Sequence, residues 1–206
     1  MKLLFLASFA SNTLPLIKEY LPKPANHLNL AFIPTAADPY ENKDFVEVDR
    51  KALIEFGFKL TDIDIKNIDK QDLKNKLSKF DIIFVAGGNT FYLLEQAIKS
   101  GFNEIIKEMI NTGTIYIGSS AGSVLCCPNI EYIKVFDNPD VSPNLKNYTG
   151  LNLYPGLIIP HAQKGEYAER IREINAEEKP KGKMITEISD NQVIIVTKNH
   201  SKVVEN

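Results

Sequence analysis

Apolar residues in this chain gather into short runs of strand length, and between the runs they recur at every third or fourth position. Lys2 to Ser8 is the first run. Ser11-Asn12-Thr13 supplies turn and helix-start chemistry after it, and a short helix is predicted over Leu14 to Leu21, closed by Pro22 and Pro24. Leu28 to Ile33 is the second strand. Phe45, Val48, Leu53, Ile54 and Phe56 follow at helical spacing, with Gly57 as the stop. Phe58 to Ile63 is a third strand, polar enough to belong near a sheet edge, and a Lys- and Asp-rich helix is predicted around Asp72 to Leu77. Asp81 to Ala86 is nearly continuous in apolar residues, as in a parallel-sheet strand buried on both faces. Phe91, Leu94, Ile98, Ile105, Ile106 and Met109 mark two helical segments broken at Ser100-Gly101, and Thr114 to Ile117 is the next strand.

After that the pattern weakens. Strand character returns at Ile130 to Phe136 and at Leu157 to His161, and Glu166 to Glu178 reads as a charged helix. Met184 to Ile188 and Gln192 to Thr197 read as a hairpin around Ser189-Asp190-Asn191, followed by a polar tail. Strands alternating with helices predict an α/β fold, a three-layer α/β/α sandwich with a mostly parallel sheet, in one domain over residues 1–206. In such sheets function collects at the carboxyl ends of the strands.

Composition narrows the field. Of 206 residues, 44% are hydrophobic and 24% charged, which is a globular and not a disordered composition. A formal net charge of -2 gives no reason to expect nucleic acid or an anionic membrane as partner. The two cysteines, Cys126 and Cys127, are adjacent, a spacing unsuited to a disulfide framework, and read as packing residues. With no C-x-x-C or H-E-x-x-H spacing, neither a metal nor another cofactor is expected. Met1 to Ala7 resembles a short signal peptide, but its apolar run is at the short limit, and its removal deletes the first strand. The expectation is a cytoplasmic protein, monomeric or homodimeric.

The chemistry centres on Gly118-Ser119-Ser120-Ala121-Gly122, where a buried strand stops at a serine held between small residues. That is the G-x-S-x-G pattern of a nucleophile elbow, a sharp strand-to-helix turn that lifts one hydroxyl above the sheet. A serine needs a base to take its proton. Of the three histidines, His27 precedes a strand and lies at the wrong edge, His200 is in the polar tail, and His161 ends an apolar strand on the edge where Ser120 emerges. For a carboxylate to orient the imidazole, Asp137, Asp140 and Glu131 lie between serine and histidine. Asp137 is favoured because it follows the run Ile133 to Phe136 at an expected strand end. The Ala121 amide and the Gly87-Gly88 turn are candidate oxyanion donors. The competing reading of Gly87-Gly88-Asn89-Thr90, a phosphate-binding turn, lacks both glycine-rich phosphate signatures.

Ala86-Gly87-Gly88-Asn89-Thr90-Phe91, Tyr116 to Ser123, Cys127-Pro128, Phe136-Asp137-Asn138-Pro139, Leu151 to Pro155, Pro160-His161, Lys164-Gly165-Glu166 and Arg170 to Glu173 together resemble the aspartyl dipeptidase (dipeptidase E) family of serine peptidases. Cyanophycinase is a more distant relative. The resemblance implies a fold similar to class I glutamine amidotransferase (flavodoxin-like) domains, with serine in place of the usual cysteine. It implies Ser120 as nucleophile, His161 as base, Asp137 as third member, and the amides of Gly88 and Ala121 as oxyanion donors. Asn89, Thr90 and Arg170 are the candidate substrate-binding residues. Family members that prefer aspartate bind its side chain with an arginine in the helix after the histidine; here Ala168 stands near that place. The activity implied is hydrolysis of dipeptides or similarly small peptides, an N-terminal aspartate being one candidate. The alternatives are a small-molecule binding or regulatory protein that keeps the fold without using the serine, and an α/β-hydrolase esterase. Against the esterase stand the short separations among Ser120, Asp137 and His161.

Overall fold

The computed structural model describes residues 2–198 and 200–206; Met1 of the leader-like stretch lies outside them. The early apolar runs become β1 (Leu3–Ala7), β2 (Asn29–Ile33), β3 (Lys59–Asp62), β4 (Ile82–Val85) and β5 (Ile115–Ser119). Neighbouring pairs among these five are parallel, and β3, the most polar, takes the edge. The helices between them are α1 (Ala10–Ile17), α2 (Asp44–Phe56), α3 (Lys70–Leu77), α4 (Thr90–Ser100) and α5 (Phe102–Thr112).

Side chains alternate across the sheet, and each face has its own core. Leu4, Leu6, Ile83, Val85 and Tyr116 point to the face covered by α3, α4 and α5. Leu3, Phe5, Ile82, Phe84, Ile115 and Ile117 point to the face covered by α1 and α2. Each fully buried side chain of this size contributes about 1.5–3 kcal/mol, so a sheet buried on both faces is a rigid platform for what stands on its edge.

The sheet is mixed, because β8 (Gln192–Thr197) and β9 (Ser201–Glu205) add antiparallel strands beyond β1, giving the order β3-β2-β4-β5-β1-β8-β9. Three expectations fail here. Met184 to Thr197 is not a hairpin: β7 (Ile185–Glu187) pairs in parallel with β6 (Leu157–Ile159) in a separate two-stranded sheet, while β8 pairs with β1. Ile130 to Phe136 is not a strand but carries a 3-10 helix over Glu131–Val135. The polar tail holds β9, an edge strand with an exposed face. After β5 comes the short α6 (Ala121–Val124), and α7 (Ala168–Glu178) buries Ile171 and Ile174 in the same core as the residues of β6.

Candidate active site

Ser120 joins β5 to α6 with φ 47° and ψ −108°, a conformation that costs a non-glycine residue about 1–3 kcal/mol. The glycines two places away on either side are dictated by close approach. A Cβ on Gly118 would stand 2.6 Å from the Gly122 carbonyl carbon, and one on Gly122 would stand 2.1 Å from the Val85 carbonyl oxygen. The neighbouring serines are committed elsewhere. Ser119 Oγ accepts the Ala10 N–H at 3.1 Å, and the buried Ser123 hydroxyl lies 2.7 Å from the Ala7 carbonyl. Only Ser120 among the three meets a histidine: its Oγ is 3.1 Å from His161 Nε2.

His161 follows β6 and has φ 59°, in the left-handed region. Its Nδ1 lies 2.5 Å from Asp190 Oδ1. An ionised carboxylate only accepts, so Nδ1 carries a proton, and in the neutral imidazole this leaves Nε2 as the acceptor facing the Ser120 hydroxyl. Burial alone would raise the Asp190 pKa, but hydrogen bonds from His161 and then Ser8 outweigh it and hold the carboxyl well below the usual carboxylate range. Lys164 adds a cation 3.6 Å from the other Asp190 oxygen.

The series opens into a cavity of about 460 Å³ whose wall includes Gly88, Ala121 and Thr90. Gly88 has φ 139°, and a Cβ there would stand 2.2 Å from the Ala36 carbonyl oxygen, so no larger residue fits this turn. The N–H groups of Gly88 and Ala121 have no backbone partner among the described residues, which leaves both free to donate into the cavity. In the same wall, Asp137 accepts the Thr90 N–H at 2.8 Å. Burial raises the Asp137 pKa, and the Thr90 hydrogen bonds only partly offset it. Arg170 reaches the same wall, its guanidinium carbon 5.8 Å from the Phe136 ring centre and 5.7 Å from that of Tyr167, and it enters no ion pair among the described residues.

The family model for Peptidase family S51 matches residues 4–204. This chain belongs to Peptidase family S51. It is 36% identical to an uncharacterized peptidase of Listeria monocytogenes over 196 residues, covering 95% of both chains. It is 34% identical to a Shigella flexneri protein named Peptidase E, over 81% of this chain and 72% of the relative. A crystal structure of a Listeria monocytogenes EGD-e protein, provisionally named a peptidase E, superposes with a TM-score of 0.91 at 33% identity, over 100% of this chain and 99% of that one.

In this S51 chain the residues expected from sequence divide into those brought together and those kept apart. Ser120, His161, Gly88, Ala121, Thr90 and Arg170 all border one cavity. Asp137 borders it too, but as the partner of Thr90; the carboxylate on His161 is Asp190. The 3-10 helix directs Asp137 elsewhere, its own N–H bonding back to the Ile133 carbonyl at 2.9 Å. Asn89 is a correction of another kind: its side chain caps α4 by accepting the Tyr92 N–H and donates to the Asn138 carbonyl, and it is not among the residues lining the cavity. His27 and His200 are exposed and away from the cavity. Asp190 was hidden in what reads as a hairpin turn. Its signal lies in pairing: β6 and β7 run in parallel with Ile159 opposite Glu187, so the residues after each strand emerge together. Cys126 and Cys127 are free and fully buried, and burial pushes the Cys127 thiol up to about 12, far from a reactive thiolate.

Proposed function

We propose that this chain is a serine-type dipeptidase that hydrolyses dipeptides and similarly small peptides through an acyl-enzyme on Ser120. The observation that carries the reading is the hydrogen-bonded series Ser120–His161–Asp190 opening beneath two uncommitted backbone amides. His161 Nε2 takes the Ser120 proton as Oγ attacks the scissile carbonyl, and the Gly88 and Ala121 N–H groups receive the negative charge on the carbonyl oxygen. The imidazolium, stabilised by Asp190, then gives the proton to the departing amine. Water, deprotonated by the same Nε2, releases the acyl group and restores the serine.

In this reading Asp137 and Arg170 serve the substrate. Asp137 is a buried carboxylate with a hydrogen-bond donor and no basic partner among the described residues, suited to the N-terminal ammonium of a peptide. Arg170 offers a cation to a substrate carboxylate, and this keeps acidic side chains, aspartate included, among the expected substrates. Thr90 contributes through its backbone hold on Asp137. The parallel strands carrying Ser120 at a carboxyl edge, with helices on both faces, support a fold of the glutamine amidotransferase-like (flavodoxin-like) kind, with residues 1–206 as one peptidase domain. No described helix is long and apolar enough to cross a membrane. The two free buried cysteines accord with the cytoplasmic location we infer, and monomer or homodimer remains our expectation.

The test is turnover of a panel of dipeptides and aminoacyl-p-nitroanilides by wild type and Ser120→Ala, with a fluorophosphonate probe as an independent measure of serine reactivity. Wild type is expected to turn over and to be labelled, and the variant to do neither. Equal turnover by the two proteins overturns the assignment. An unreactive wild type with a bound small molecule points instead to a binding protein on the same fold.

A further inference from the structure

The carboxyl end of β1 carries a serine that the reaction above does not use. Ser8 is 0% exposed, and the pairing of the strands explains its position. Ala7 lies opposite Ser119 in the parallel pair β1–β5, so the next residue along β1 stands beside Ser120. On its other side β1 pairs with β8, which begins two residues after Asp190. The end of β1 is therefore the shared neighbour of the serine turn and of the segment bearing Asp190.

Three contacts follow. Ser8 Oγ is 2.7 Å from Asp190 Oδ1, 2.7 Å from the His161 backbone nitrogen and 3.2 Å from His161 Nδ1. A hydroxyl has one proton to give and two lone pairs to receive with. The carboxylate only accepts and the backbone N–H only donates, so the Ser8 proton goes to Asp190 and a Ser8 lone pair takes the His161 N–H. Asp190 Oδ1 thus collects two donors, Ser8 Oγ–H and His161 Nδ1–H. The backbone bond also anchors His161 in its left-handed conformation, φ 59°, which an L-residue does not adopt without cost. Other groups hold Asp190 as well: the Asp190 N–H donates to Gln163 Oε1 at 3.1 Å, and Lys164 places Nζ 3.6 Å from Asp190 Oδ2. The Lys164 backbone N–H also donates to the His161 carbonyl at 3.0 Å, but Ser8 makes both links through a single hydroxyl.

We propose that Ser8 is a positioning residue of this site, fixing the Asp190 carboxylate and the His161 backbone with one hydroxyl so that the imidazole keeps its proton on Nδ1 and presents Nε2 to Ser120. The proposal rests on the serine peptidase reading for its consequence, but its geometry is independent of any substrate. Loss of one charge-assisted hydrogen bond and the alignment it sets is expected to slow acylation by about 10- to 100-fold.

The experiment compares wild type, Ser8→Ala and the near-isosteric Ser8→Cys by two readouts. One is the rate at which a fluorophosphonate labels Ser120; the other is the low-field proton resonance of His161 Nδ1–H, which needs no substrate. Ser8→Ala is expected to label more slowly by the factor above and to shift that resonance upfield or lose it to exchange. On any dipeptide turned over, the loss is expected in kcat, with KM held within about twofold. Ser8→Cys, a weak donor of similar volume, falls between the two and carries the test if the alanine variant does not fold. A folded Ser8 variant that labels at the wild-type rate with the resonance unchanged overturns the proposal, even if it melts at a lower temperature. A wild type that is neither labelled nor active overturns the peptidase reading instead, and the resonance still decides the role of Ser8.

Discussion

Of the aspartates that border the cavity, Asp190 and Asp137 are held in opposite ways. Asp190, against His161, receives hydrogen bonds from an imidazole and a hydroxyl, and these outweigh burial and keep it ionised. Asp137 receives the Thr90 donors and a smaller pull from His161, and enters no ion pair among the described residues, so burial prevails and its pKa rises. Environment, and not residue type, separates the roles. A carboxylate already neutralised by its neighbours suits orientation of a base that becomes charged in the reaction. A carboxylate left short of positive charge suits a ligand that brings its own.

The first way to break this comparison is to remove one carboxylate at a time. Asp190→Asn is expected to cut kcat by about 10³- to 10⁴-fold, because an amide favours the wrong imidazole tautomer. Fluorophosphonate labelling should fall with it. Asp137→Asn is expected to leave labelling intact and to raise KM for peptides with a free amino terminus by about 10- to 100-fold, the value of one charge-assisted contact. If the pattern is reversed, with Asp137→Asn abolishing labelling and Asp190→Asn sparing it, Asp137 returns as the orienting group.

A pH series sharpens the same contrast without mutation. The Asp137 pKa is raised, so its carboxyl takes up a proton at a higher pH than an ordinary aspartate does. Protonation removes the charge that attracts an ammonium, and KM for dipeptides is therefore expected to rise as pH falls through that raised value. Peptides blocked at the amino terminus should show no such rise. Asp190, with its pKa lowered, stays ionised across the same window and contributes nothing to this limb. A KM that rises equally for free and blocked peptides would remove Asp137 from substrate binding.

Much of the site was legible from the chain because its signals are local. The turn at Ser120 needs small residues two places to either side, and His161 ends an apolar run; both facts are visible in short stretches. Asp190 was not legible, because its meeting with His161 depends on β7 lying parallel to β6 across a long connection. Two apolar runs separated by Ser189-Asp190-Asn191 look like a hairpin to any local reading, and only the tertiary pairing sends one to β6 and the other to β1. Asp137 departs from its expected place against His161 for the converse reason: the apolar spacing at Ile130 to Phe136 fits a strand, but the segment folds as a 3-10 turn that buries Tyr132 and Ile133. The edge strand β9 leaves little alternation in the sequence, because most of its residues face solvent.

A third aspartate on the cavity wall gives the smallest expected effect and tests whether burial acts the same way on a carboxylate outside the Ser120–His161–Asp190 series. Asp49 on α2 is 2% exposed, accepts the Ser11 N–H at 2.8 Å, and has its pKa pushed up to about 6, chiefly by burial. The folded value lies above the unfolded one, so between about pH 4 and pH 6 the native state binds more protons than the unfolded chain. The stability this group supplies is complete below pH 4 and is lost as pH rises through 6. A shift of this size corresponds to an ionisation cost of up to ~3 kcal/mol at neutral pH. Asp49→Asn removes that cost but also loses charge-assisted hydrogen bonds, so a net gain of about 1 kcal/mol, or about 2–4 °C in Tm, is expected at pH 7.5. Near pH 4 the gain should vanish, because the native aspartic acid is already neutral there. Thermal unfolding of the two proteins at both pH values decides it: a Tm difference that is the same at pH 4 and pH 7.5 would mean that Asp49 is not carrying the burial penalty, and the parallel with Asp137 would fail.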